Sequence, residues 1–199
     1  MEKLIAIVID GVVYDVVESA CKYLKNKHDV TITRDEWNTY RLEDLHLISD
    51  EDAVKMFSDY NLYLGNPMEG AIKSLAKFKK LGWTIQLLTS RNFEKLYTTT
   101  VDWLKDNSVP FDKLVFCDHN KGEYLSTYKV KFFVDDYPKF VKDAKDNYVD
   151  CVYLLDATYN RDYDNFSDGV IRVKDLSMVL NIVEEVYKLS NGKQKQSNG

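Results

Sequence analysis

The chain has 199 residues, 45% of them hydrophobic, enough for one domain with a sizeable core and a modest insertion. Its net charge of −5 argues against broad binding to nucleic acid polymers or to a membrane surface. Glu2 and Lys3 lead only a short apolar run, and nothing approaches the roughly 18 apolar residues of a membrane span, so neither signal peptide nor anchor is read and a cytoplasmic setting is expected.

In chain order, the first element is the run Leu4, Ile5, Ile7, Val8 and Ile9, stopped by Asp10-Gly11. A branched apolar run of this kind reads as a strand buried on both faces, central in a parallel sheet. Asp10 then sits at the strand's carboxyl end, where open α/β sheets bind ligands. Val16, Val17, Ala20, Cys21 and Leu24 recur at helical spacing, giving a helix from Asp15 to about Asn26. From His28 to Gly65 no strong strand run occurs, and Ser49-Asp50 marks a helix start. This stretch is aromatic, with Trp37, Tyr40, Phe57, Tyr60 and Tyr63.

Pro67 is expected to open the next helix, with Ala71, Ile72, Leu75, Ala76 and Phe78 on its apolar side and Gly82 as its stop. A strand over 83–89 ends in Thr89-Ser90, and a helix runs from about Asn92 to Asn107. Leu114–Cys117 and 130–135 are the third and fourth strands. A helix from Lys139 to Asn147, a strand Cys151–Leu155, a short strand Val170–Val173 and a last helix Leu176–Leu189 complete the pattern. Strands alternating with helices imply an α/β fold on a parallel sheet. The polar tail from Ser190 is expected to be disordered. Cys21, Cys117 and Cys151 have no metal-ligand spacing and read as reduced thiols.

The chemistry-bearing residues close strand-like runs. Asp10 ends the first, Thr89-Ser90 the second, Lys121 follows the third, and Asp135-Asp136 end the fourth. Hydroxyl and ammonium groups hold phosphate oxygens, while clustered carboxylates hold a hard cation. Arg91 follows the hydroxyl pair and is open to phosphate, to the aromatic segment or to a surface salt bridge. His119 has no partner at metal-ligand spacing.

In their order and spacing, DGVVYD (Asp10–Asp15), NPMEGA (Asn66–Ala71), LLTSR (Leu87–Arg91), DHNK (Asp118–Lys121), VDDYP (Val134–Pro138) and YNR (Tyr159–Arg161) resemble the haloacid dehalogenase superfamily of phosphatases. Within it the chain is most similar to the 5'(3')-deoxyribonucleotidase branch. The resemblance implies a three-layer α/β core (1–15 and 67–189) with a small helical cap inserted after the first strand (16–66). It implies Asp10 and Lys121 in catalysis, and Gly11, Thr89, Ser90, Arg91 and Lys121 around phosphate. It further implies Mg²⁺ at Asp10, Asp135 and Asp136, and Trp37 or Tyr40 stacking on a nucleobase.

One departure decides how the activity is read. The superfamily pattern is DxDGV, in which the first acid takes the phosphoryl group and the second is the acid/base. Alignment on DGV puts the second acid at Asp10 and the nucleophile's position at Val8. A valine cannot form a phosphoenzyme. The leading expectation is a catalytically impaired protein that binds a nucleoside monophosphate or related phosphate, with weakened Mg²⁺. The alternatives are an active phosphatase working through Asp10 and Mg²⁺-activated water, and an interaction protein with no ligand but an unknown protein partner.

Overall fold

The computed structural model describes residues 2–117, 121–164 and 169–196. Six strands form one sheet in the order β3-β2-β1-β4-β5-β6. They are β1 (Leu4–Val8), β2 (Thr84–Thr89), β3 (Lys113–Phe116), β4 (Phe132–Asp135), β5 (Cys151–Leu155) and β6 (Ile171–Val173), and every pairing is parallel. Seven α-helices accompany them among the described residues: α1 (Val16–His28), α2 (Asp50–Met56), α3 (Ala71–Lys80), α4 (Phe93–Asp106), α5 (Lys121–Thr127), α6 (Pro138–Asp146) and α7 (Leu176–Gln196). The architecture is a parallel α/β sheet flanked by helices, as the strand–helix alternation requires.

Every residue of β1 is buried, because β2 and β4 cover its edges and helices cover both faces. Its register sets Val8 beside Leu88 and Ile7 beside Leu87 and Val134. This register matters for function. It brings the carboxyl ends of β1, β2 and β4, and therefore Asp10, Thr89 and Asp135, to one rim of the sheet.

The segment 16–66 lies over that rim. Asp15 caps α1 by accepting from the Glu18 N–H (2.9 Å) and pairs with the Arg34 guanidinium. Ser49 caps α2 through the Asp52 N–H (3.1 Å), at the helix start read from the sequence. The segment is fastened to the core by polar bonds as well as packing. Thr158 donates to the Trp37 carbonyl (2.5 Å), Trp103 Nε1 to the Gly65 carbonyl (2.8 Å), and the Tyr14 hydroxyl to the Leu62 carbonyl.

Three local expectations change. Pro67 does not open α3. Tyr14 bridges to Pro67 and the Met68 N–H donates to the Val13 carbonyl (2.8 Å), so this stretch is extended and α3 starts at Ala71 after Gly70, at φ +73°. A seven-residue helix, α5, begins at Lys121 where no helix was expected; Gly122 weakens its propensity, and burial of Leu125 supplies the packing. The last helix, expected to end at Leu189, extends to Gln196. Asp118, His119 and Asn120 lie outside the described residues.

Candidate functional site

Asp10 follows β1 and meets two residues from the end of β2. The Thr89 hydroxyl donates to Asp10 Oδ2 (3.2 Å). Arg91 Nε donates to both carboxylate oxygens (3.1 Å each) and Nη2 to Oδ1 (2.6 Å). The chain turns here because the Arg91 N–H donates back to Thr89 Oγ1 (3.1 Å). The guanidinium is buried and occupied on its other sides. Nη1 donates to Thr100 Oγ1 (3.1 Å) on α4, and Cζ stands 4.2 Å from the centre of the Tyr63 ring and 5.0 Å from that of Tyr14. Such a forked, charge-assisted pair over aromatic rings is a role suited to arginine rather than lysine. Of the options open for Arg91, the surface salt bridge is excluded by its burial.

Lys121 and Asp135 form a second ion pair, Nζ to Oδ2 at 3.0 Å, with both side chains almost wholly buried. The ammonium also sits 3.8 Å from the Phe140 ring. Asp135 Oδ1 accepts the Tyr137 N–H (2.9 Å). Asp136 accepts from the Tyr159 hydroxyl (2.5 Å). Burial, then the neighbouring Asp135 charge, pushes the Asp136 carboxyl well above the usual carboxylate range. Burial and then Asp136 push the Tyr159 hydroxyl up in turn. Asn160 donates to the backbone carbonyls of Asp136 and Leu155 (2.8 Å each), a structural role for the YNR loop.

Gly11 explains how Asp136 approaches so closely. A Cβ on Gly11 would lie 2.1 Å from Asp136 Oδ2, and its φ of +78° is one that other residues rarely adopt. Gly11 lines a small hollow of about 120 Å³ with Asp15, Arg34 and Thr158, which adjoins the main cleft across Val16, Val17 and Tyr159.

The main cleft, about 660 Å³, lies between the 16–66 segment and the rim. Trp37, Tyr40, Phe57 and Tyr63 line one wall, and Asp10, Ser90, Arg91, Asn92 and Asp136 line the other. Of the residues expected around phosphate, Ser90 and Arg91 line the cleft. Thr89 and Lys121 are buried outside its lining. Trp37 is almost fully buried, whereas Tyr40 is 40% exposed. Thr100 and Tyr137 carry no sequence signal that marks them for the site. Tyr137 lies inside the VDDYP stretch, but nothing in the sequence pairs it with Tyr40.

The Mg²⁺ expected at Asp10, Asp135 and Asp136 does not fit this donor set. Among the described residues, no three His, Cys, Asp or Glu side chains form a group able to hold a metal ion. Asp10 is held by Arg91, Asp135 by Lys121 and the Tyr137 N–H, and Asp136 by Tyr159. Val8 contributes no oxygen.

Solved structures with this fold carry related descriptions. A predicted phosphatase from Clostridium acetobutylicum matches with a TM-score of 0.66 at 14% identity, over 93% of this chain and 99% of that one. A haloacid dehalogenase-like family hydrolase from Streptococcus pneumoniae matches with a TM-score of 0.63 at 14% identity, over 91% and 98%. A D,D-heptose 1,7-bisphosphate phosphatase from B. bronchiseptica, complexed with magnesium and phosphate, matches with a TM-score of 0.54 at 15% identity, over 93% and 99%. These likenesses establish a haloacid dehalogenase-like α/β core. No family model and no curated protein sequence matches the chain.

Proposed function

We propose that this chain is a phosphatase-fold protein of the haloacid dehalogenase type that binds a small phosphorylated ligand, foremost a nucleoside monophosphate, and hydrolyses it very slowly or not at all. The observation that carries the reading is the composition of the cleft. Its aromatic wall faces a polar rim, which suits a ligand with a flat ring at one end and an anion at the other. Ser90 would donate to phosphate oxygens. Asn92, the cap of α4, also lines the cleft and turns the positive end of that helix dipole toward it. Arg41 on the opposite wall, now 3.8 Å from the Glu43 carboxylate, would add charge by turning to the phosphate. Tyr40 would meet the base.

The impaired chemistry rests on Val8, which occupies the position that the motif alignment gives to the phosphoryl acceptor. The rival route through Asp10 as a base finds no support in the pairing with Arg91. Asp10 would first have to give up a forked ion pair whose arginine is otherwise buried. The experiment is phosphate release from deoxynucleoside monophosphates and from an aryl phosphate, with Asp10→Asn as a control. The reading predicts release at background. Robust turnover by the native chain that disappears in Asp10→Asn would favour the rival.

A further inference from the structure

We infer that the cleft binds its phosphorylated ligand without a divalent cation, because the chain's own Arg91 and Lys121 occupy the carboxylates that would otherwise hold one. The inference rests on the proposed ligand for its nucleotide measurement and stands apart from it for its metal measurement.

Each carboxylate at the rim has a fixed counter-group. Both oxygens of Asp10 accept from Arg91. Arg91 cannot swing away cheaply, since Thr100 binds its third nitrogen and the Tyr63 ring centre lies 4.2 Å from its Cζ. Displacing it would leave a buried guanidinium without its anion, which is more costly than losing an exposed pair. Lys121 stands in the same relation to Asp135, with Phe140 beneath its ammonium. Asp136 is wedged between Gly11 and the Tyr159 hydroxyl.

A Mg²⁺ ion demands near-octahedral oxygen donors and keeps several waters. Asp135 is 1% exposed and Asp136 4%, which leaves little room for a hydrated ion at the pair. Val8 offers no side-chain ligand. Arg91 and Lys121 therefore neutralise Asp10 and Asp135 from within the protein.

The test uses the full chain. Mn²⁺ alone is titrated and followed by loss of its free-ion EPR signal, and MgCl₂ alone is titrated by calorimetry. Neither is expected to bind saturably at millimolar concentration. Deoxynucleoside monophosphate affinity is then compared in Mg²⁺ and in EDTA, and is expected to agree within about twofold, under 0.5 kcal/mol. Saturable Mg²⁺ or Mn²⁺ binding by the native chain overturns the inference. So does nucleotide binding about tenfold or more tighter in Mg²⁺. Should no nucleotide bind in either buffer, the proposed ligand falls while the metal titrations still decide this inference.

Discussion

The ring of Tyr40 lies flat on that of Tyr137, with centroids 3.5 Å apart and planes 9° from parallel. Tyr137 directly follows the acid pair at the end of β4, so this stack joins the 16–66 segment to the rim at the cleft itself. Tyr159 meets Tyr40 edge-on at 5.8 Å. One face of Tyr40 is therefore covered by Tyr137, and in the proposed function a base would meet the other. Stacking contributes about 1–3 kcal/mol per base, so Tyr40→Ala is expected to weaken nucleotide binding roughly 5- to 150-fold. Tyr40→Phe should bind nearly as well as native. Equal binding by Tyr40→Ala and native would place the base elsewhere.

Gly11→Ala is expected to destabilise the fold and displace Asp136. The added Cβ meets the Asp136 carboxylate, and the left-handed φ adds about 1–2 kcal/mol for a residue with a side chain. The midpoint of denaturant unfolding should fall with an unchanged slope. A midpoint equal to native would mean that Asp136 moves aside freely.

Ile7→Ala is expected to cost about 2–5 kcal/mol, because β1 is covered on both faces and the cavity cannot collapse. Loss of less than about 1 kcal/mol would contradict the central placement of β1. Chemical denaturation measures it directly.

Glu184 gives a pH-dependent prediction remote from the cleft. Trp83 Nε1 donates to it at 2.5 Å and Lys3 pairs with it at 3.2 Å, fastening α7 to the start of the sheet. Burial alone raises its carboxyl, but the Trp83 and Lys3 contacts outweigh that and hold it below the usual value. A carboxyl lowered in the folded state stabilises above its unfolded pKa, and that stability is lost as pH falls through the folded value. Thermal unfolding followed from neutral to acid pH should show a smaller decline for Glu184→Gln than for native. Parallel curves would remove Glu184 from the acid response.

The sheet was legible because its strands are apolar runs. Leu4–Ile9, the run ending at Thr89 and the run ending at Asp135 each announce a buried parallel strand and place a polar residue at its carboxyl end. The start of α3 was not, because proline at a first helical turn and proline in an extended bridge read alike until Tyr14 is seen beside Pro67. The pairing of Arg91 with Asp10 was also invisible. Two ions 81 positions apart acquire each other only when β1 and β2 are set in register. The same holds for Tyr159 over Asp136, where the sequence supplied the loop but not the contact.

The central claim is that a nucleoside monophosphate occupies the cleft between the aromatic wall and the rim. The most direct measurement is amide chemical-shift mapping of the full chain titrated with a deoxynucleoside monophosphate, beside the same titration with the parent nucleoside. The account predicts saturating shifts concentrated at Tyr40, Arg41, Ser90, Arg91, Asn92 and Tyr159, and much weaker ones with the nucleoside. Absence of shifts at millimolar nucleotide, or saturating shifts confined to residues away from this cleft, would contradict it.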